Sequence, residues 1–376
     1  MTTLLRYHSY PLWYQLYTFL PTFKQHTFSV KADQTKFVPC VTNARESKEL
    51  IVAIDTSDPG CLLGQHLYKG FLENGQEVAL KRFDGQADLW AEVRMLRRVE
   101  HSNLVKMIAY NEKGKDCVVV YEYMPLQSLN LHLQDLKPGK KPLDWKTRMK
   151  IAEGVAKALE YLHDQKDPPV IYGGLSRTCI LLDESYNPKL SDFSCAKDGP
   201  LGDYTSMFFK MMETNGYIAP EFFMTGHLTS KSDVFSFGVV LLELISGEKV
   251  IEDNIRDSGK HTITAWARPL LDNEKFQDIA DPLMKGQYPY AGLVKALYLA
   301  KMCVKDEAHE RRPIAEVVLT LSKINSQIYE QPQVTTVTDP FTPPTILCSA
   351  QAVALVKSCG ERSSKVMEQF CKTVYG

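Results

Sequence analysis

An α+β fold in two lobes, a small β-rich lobe followed by a larger helical one, is what this sequence predicts. Strand-like runs come first along the chain and helix-like runs afterwards, the order that segregates a sheet from a group of helices. The length of 376 residues suits one such two-lobed domain with tails. Hydrophobic residues at 44% and charged residues at 24% describe a soluble globular chain with apolar material for a sizeable core.

Residues 1–50 show no clean period and are left as an unassigned N-terminal extension. The first 32 residues carry no Asp or Glu and many aromatics, among them Tyr10, Trp13 and Tyr17. They lack the Arg and Ser richness of a transit peptide, so a poorly ordered extension is expected. One continuous domain is expected over 51–326. Within it, 77–83 reads as a short strand carrying Lys81. Residues 88–99 read as a helix with Leu89, Val93 and Leu96 on one face at i, i+4 and i+7. The run 118–123 suits a buried strand. Residues 145–163 give the clearest amphipathic helix, with Trp145, Met149, Ala152, Val155 and Leu159 in its stripe and Asp144 as N-cap. Residues 231–246 are almost continuously apolar after Asp233 and stop at Gly247, which predicts a buried helix with a glycine C-terminus. Residues 327–347 are rich in Thr and Pro and read as a linker, and 348–376 as a C-terminal tail.

Charge and cysteine usage exclude several classes. A net charge of −1 gives no reason to expect nucleic acid or an anionic membrane as the main partner. The nine cysteines are scattered with no C-x-x-C pair, which argues against a disulfide framework or a zinc site and for reduced thiols in the cytoplasm. No run of 18 apolar residues exists, so no transmembrane segment is expected.

The chemistry-bearing motifs follow a recognisable order. Residues 171–183 have the outline of a catalytic loop for phosphoryl transfer, whose usual form is His/Tyr-Arg-Asp-Leu-x-x-x-x-Asn before a short apolar strand. Tyr172 opens it. Gly173 stands at the Arg position, Gly174 at the catalytic Asp and Cys179 at the metal-binding Asn. Around this loop other groups remain. Lys81 in Val-Ala-Leu-Lys matches the lysine that holds the α- and β-phosphates, and Glu92 on the next helix matches its ion-pair partner. Asp192-Phe193 matches the start of the Mg²⁺-binding Asp-Phe-Gly. Ala219-Pro220-Glu221 closes the activation segment, Asp233 opens the buried helix, and Arg312 is expected to pair with Glu221.

On these residues the chain resembles the plant receptor-like cytoplasmic kinases, and within them subfamily VII. The stretches that carry the likeness are 170–183, Pro-Lys-Leu-Ser-Asp-Phe at 188–193, Gly-Tyr-Ile-Ala-Pro-Glu at 216–221, the run 224–240 and Ala-Trp-Ala-Arg-Pro-Leu at 265–270. The resemblance covers roughly 60–327. It implies a bilobal protein-kinase-like fold and a role in signalling downstream of cell-surface receptors, with receptor kinases, related cytoplasmic kinases or immune sensors as protein partners. It also implies MgATP as the substrate of active members and, for many, acyl anchoring at the plasma membrane. Here position 2 is Thr, so the anchoring signal is absent as encoded. A cytoplasmic location is expected, with peripheral attachment to the plasma membrane left open. By the same resemblance Tyr121 stands at the rear of the cleft, with Glu122 and Met124 in the strip that would border adenine.

The departures from the family pattern decide the expected function. The glycine-rich phosphate loop aligns with Gly60-Cys61-Leu62-Leu63-Gly64-Gln65, where Leu62 and Gln65 replace two glycines. A Cβ there obstructs approach of backbone amides to phosphate. Loss of the Asp at 174 removes a group worth about 10²–10⁴ in rate. Ser176 replaces a phosphate-neutralising Lys, with Arg177 beside it expected to point elsewhere. The Cys179 thiol is a soft ligand for a hard cation. Phe208 and Phe209 occupy the usual phospho-acceptor positions, while Tyr204, Thr205 and Ser206 remain modifiable. The reading is a catalytically inactive Ser/Thr kinase homologue that works by binding, as scaffold or decoy. ATP and Mg²⁺ would be held weakly or not at all, through Gly60, Lys81, Glu92, Glu122, Met124 and Asp192, with Asp192 as a single Mg²⁺ ligand. Tyr172, Phe193, Glu221, Asp233 and Arg312 are assigned to structure. The alternative is a weak or unconventional MgATP-dependent kinase.

Overall fold

The computed structural model describes residues 35–42, 49–55, 62–64, 66–112, 117–133, 139–199, 216–249 and 262–329. The chain divides into two compact units, Met1–Glu330 and Gln331–Gly376, and every described residue belongs to the first.

The small lobe is built on strands β1 (Thr35–Thr42), β2 (Glu49–Asp55), β3 (Leu62–Gly64), β4 (Leu67–Leu72), β5 (Glu77–Arg82), β6 (Met107–Asn111) and β7 (Val118–Glu122). Among the described residues they form one sheet in the order β2-β1-β6-β7-β5-β4-β3, and β2 also pairs with β4, so the sheet curls back on itself. The alternation of β5 and β7 sets the lobe's two faces. Val78 and Leu80 join Val118 and Val120 in a small apolar cluster on one side. Ala79, Val119 and Tyr121 face the main core, which puts Lys81 and Tyr121 on the same side of the sheet. Helix α1 (Gln86–Leu96) packs Leu89, Glu92, Val93, Met95 and Leu96 inward.

The large lobe follows. The short strand β8 (Gln127–Ser128) and helix α2 (Asn130–Leu133) lead into α3 (Trp145–Asp164), capped by the Asp144 carboxylate, which accepts from the Thr147 N–H at 2.8 Å. The short strands β9 (Val170–Ile171), β10 (Ile180–Leu182), β11 (Pro188–Leu190) and β12 (Lys197–Asp198) flank the loop that matters here, with β10 against β11 and β12 against β9. Helices α4 (Pro220–Thr225), α5 (Ser230–Ser246), α6 (Ile263–Asp272), α7 (Tyr290–Cys303) and α8 (Ile314–Tyr329) complete it. Helix α5 runs through the middle of the core: Phe237, Val239, Val240, Leu241, Leu242 and Leu244 are all fully buried. It ends on Gly247 at φ 71°, a left-handed stop that glycine adopts without strain.

Two boundaries differ from the sequence reading. Strand β1 lies inside the stretch left unassigned, and the boundary at 50/51 cuts β2. Strands of an antiparallel pair leave a weak sequence signal here, because they declare themselves only through their partners. Helix α8 continues past 326 to Tyr329, so any linker begins later. Its buried Ile314, Val317, Leu321 and Ile324 keep a helical period, and the first breaker is Pro332. The expected linker beyond that point and the tail 348–376 lie outside the described residues, as do residues 1–34.

Candidate functional site

The cleft between sheet and helices collects two groups of side chains. On the small-lobe side, the Lys81 Nζ of β5 lies 2.9 Å from Glu92 Oε2 of α1 and 2.9 Å from Asp192 Oδ1. Glu92 is fully buried, and its other oxygen accepts from the Tyr121 hydroxyl at 2.6 Å. Burial pulls the Lys81 ammonium down, but the charges of Glu92 and Asp192 outweigh it and hold the pKa above that of ordinary lysine. Burial would push the Asp192 carboxyl up, yet the Lys81 charge dominates and holds it below the usual aspartate range. Burial and the Glu92 carboxylate raise the Tyr121 phenol, which stays a donor. Asp192 adopts φ 58°, ψ 76°, a left-handed conformation, and its carboxylate accepts from the Ser194 N–H as the 3₁₀ turn Phe193–Cys195 begins. That backbone turn aims the carboxylate across to Lys81 while Phe193 goes into the core.

The loop side is held from below by one carboxylate. Asp233, near the start of α5, accepts from the Tyr172 N–H at 2.8 Å and the Gly173 N–H at 2.7 Å, and pairs with His163 Nε2 at 2.8 Å. The Tyr172 ring meets the Phe193 ring edge-on at 5.4 Å, and its hydroxyl donates to the Ser191 carbonyl. Gly173 has φ 73°, and a Cβ there would lie 3.0 Å from the Cys195 carbonyl oxygen. Gly174 differs: a Cβ would meet Cys195 Cβ at 3.4 Å and Sγ at 3.9 Å, ordinary contacts. The Cys179 thiol is buried and turned back onto its own loop, donating to the Ser176 carbonyl at 3.0 Å. Burial pushes this thiol up, so it stays protonated. The loop side presents neutral, mutually satisfied groups at these positions.

Glu122 and Met124 sit where β7 ends. The Glu122 carboxylate accepts from Lys189 of β11 at 2.7 and 2.8 Å and from the Lys106 N–H at 2.8 Å. Met124 is buried. Gly60, Cys61 and Gln65 lie outside the described residues; Leu62, at the start of β3, is 60% exposed. Phe208, Phe209 and Tyr204–Ser206 of the activation segment also lie outside them.

One pairing read from sequence is corrected. Arg311, not Arg312, bonds Glu221, with two N–H···O contacts of 2.7 Å. Its remaining N–H donors go to the carbonyls of Lys231, Asp306 and Lys305, which uses all five. Arg312 faces solvent and pairs with Glu316 of α8 at 2.8 Å. Arg311 is extended after a 3₁₀ turn, and successive extended residues point to opposite sides.

Sequence reading missed a second buried link. Arg177 lies 3.1 Å from the fully buried Glu243 of α5, whose other oxygen accepts from the Tyr217 hydroxyl at 2.7 Å. Burial and the Glu243 charge raise the Tyr217 phenol. The signal was in the sequence: a carboxylate within the apolar run of α5 requires a buried cation or donor.

A phosphate-and-metal test of this cleft gives a split result. Lys81 suits phosphate oxygens, and Asp192, whose side chain is 51% exposed, offers one hard-cation ligand. Cys179 offers none. No group of three or more His, Cys, Asp or Glu gathers as a metal site among the described residues. Among them, too, no helix is long and apolar enough to cross a membrane.

The protein kinase domain family matches residues 66–359. Three Arabidopsis thaliana relatives are similar over most of the chain. The serine/threonine-protein kinase PBL27 is 51% identical over 75% of this chain and 57% of its own length. The probable serine/threonine-protein kinase PBL7 is 49% identical over 79% of this chain and 82% of its own. The serine/threonine-protein kinase PBS1 is 48% identical over 75% and 64%.

Proposed function

Because this chain belongs to the protein kinase family, in the company of PBS1-like receptor-like cytoplasmic kinases, we propose that it is a pseudokinase: a kinase-shaped binding component of receptor-kinase or immune signalling that does not transfer phosphate. The observation that carries the reading is Gly174. The position that needs a carboxylate to accept the alcohol's proton has no side chain, and its nearest neighbour is the Cys195 side chain. Cys179 and Ser176 remove a metal ligand and a phosphate-neutralising cation from the same loop. The frame under the loop is kept by Asp233, Tyr172 and Phe193, which supports a rigid domain that serves as a surface. The domain is taken to include strands β1 and β2 and to end with α8 at Tyr329, the working location to be the cytoplasm, and the partners to be receptor kinases or related cytoplasmic kinases.

If MgATP binds, Lys81 would face the phosphates, Asp192 would hold one Mg²⁺, and the metal would supply charge neutralisation. Glu92 and Tyr121 would keep Lys81 in place. Gly174 leaves the incoming hydroxyl with no group to take its proton.

A second reading, a weak or unconventional kinase, draws on the assembled Lys81–Glu92–Asp192 triad and on relatives named as kinases. Phosphotransfer with radiolabelled MgATP separates the two. The native chain is expected to match a Lys81→Ala control, and turnover above that control would overturn the pseudokinase assignment. Thermal shift with ATP, with and without Mg²⁺, reports whether nucleotide is held at all.

A further inference from the structure

Helix α1 is buried on one side and carries an unusual group on the other. Glu92, Val93 and Leu96 face inward, while Trp90, Arg94 and Arg97 line the outer face at i, i+4 and i+7. Trp90 is 37% exposed on that outer face. Its ring stands edge-on to Tyr110 of β6 at 5.8 Å, and the Arg97 guanidinium lies 5.7 Å from the same Tyr110 ring. The three side chains therefore form one fixed aromatic-cation cluster. Arg94 is exposed and makes no ion pair or hydrogen bond among the described residues, and Arg97 has only the Tyr110 contact. Arg98, one residue on, is by contrast committed to Asp198 of β12.

We propose that this outer face of α1 is a docking surface for an acidic segment of a partner protein that carries one apolar or aromatic anchor. The proposal deepens the binding role above and rests on that reading. Two uncommitted guanidinium groups seek carboxylates, in a chain whose net charge is −1, so the positive charge is local. Trp and Arg are the residues that most often dominate binding energy when a partner desolvates them. An anionic membrane is the competing occupant, but recognition of acidic lipid takes clusters of about four to eight cations, and this face has two.

The test is a selection from a random peptide library displayed on phage, with the full chain as bait, followed by titration of the enriched peptides by fluorescence anisotropy. Enriched peptides are expected to be acidic with one aromatic or aliphatic anchor, and to weaken as salt rises. Trp90→Ala and the double variant Arg94→Glu/Arg97→Glu are each expected to weaken binding by about tenfold or more, with the folded state checked by circular dichroism. The double variant lies on the surface and keeps the buried face of α1, so it separates loss of docking from loss of fold. Neutral or basic winners, or binding indifferent to these substitutions, would overturn the proposal. So would capture by phosphatidylserine vesicles that disappears in the double variant while peptide binding does not. No nucleotide enters the assay, so phosphotransfer by the native chain would defeat the pseudokinase reading and leave this result readable by itself.

Discussion

The two walls of the cleft are filled in opposite ways. The wall made by β5, α1 and Asp192 keeps Lys81 in 2.9 Å contact with both Glu92 and Asp192. The wall made by the 173–179 loop has neutral groups where charges belong. The difference teaches which charged groups the fold itself requires. Glu92 is fully buried, so removing Lys81 would leave an unpaired buried carboxylate with the Tyr121 hydroxyl as its remaining donor. The triad is thus part of the fold whether or not phosphate ever arrives. The charges missing at 173, 174 and 176 carry no such duty, whereas Arg177 of the same loop does, toward Glu243. Asp233 holds the loop through the N–H groups of Tyr172 and Gly173, which any residue but proline supplies. Gly174 and Cys179 can therefore be neutral without loosening the frame.

The largest expected effect comes from rebuilding the neutral wall. Gly174 has ordinary room for a Cβ, and the Cys179 Sγ already faces the Gly174 and Ser176 carbonyls that an amide could also meet. The variant Gly174→Asp/Cys179→Asn should raise phosphotransfer over the native chain by about 10²-fold or more. A rebuilt chain no faster than Lys81→Ala would break the comparison, and would move the deficit to the phosphate loop around Leu62.

Next comes the support beneath that wall. Asp233→Ala strands the loop N–H groups and His163 in a dry site, and should cost about 3–5 kcal/mol in urea denaturation. A loss below about 1 kcal/mol would mean that the loop is held by something else.

How far the sequence revealed this site depends on which signal each residue leaves. The Asp144 cap, the α3 stripe and the Gly247 stop were legible because capping and period act locally. Lys81, Glu92 and Asp192 were legible as spaced motifs, and their mutual contacts are geometry added by the structure. The exchange of Arg312 for Arg311 shows the limit. Two adjacent arginines differ only in which side of an extended stretch they occupy, and no periodic pattern marks that side in a loop. The Arg177–Glu243 link was hidden because its partners lie far apart in sequence. Strands β1 and β2 were hidden because each is specified by the other.

Within the loop, two adjacent glycines should respond differently to the same methyl. Gly173→Ala places a Cβ at φ 73° against the Cys195 carbonyl at 3.0 Å and should cost about 1–2 kcal/mol. Gly174→Ala meets only ordinary contacts and should stay within about 0.5 kcal/mol of the native chain. Equal losses would show that the left-handed turn at 173 is not a constraint, and that either position could regain a side chain freely.

The smallest effect is a pH dependence that separates the charged wall from the neutral one. In the folded chain the Asp192 carboxyl is held below its usual range, chiefly by the Lys81 charge acting against burial. A carboxyl with a depressed folded pKa contributes stability that is present above its unfolded pKa, near pH 4, and is lost as pH falls through the folded value. Lys81 is shifted the other way: its contribution is complete below the ordinary lysine pKa and fades only in strong alkali. Native chain and Asp192→Asn should therefore differ in denaturation midpoint at pH 7, and the gap should close on acidification below about pH 4. Because the Asp192 side chain is half exposed, added salt should narrow the gap at pH 7 as well. A gap that stays constant from pH 7 to pH 3 would mean that the bond to Lys81 contributes no stability, and that the charged wall persists for a ligand and not for the fold.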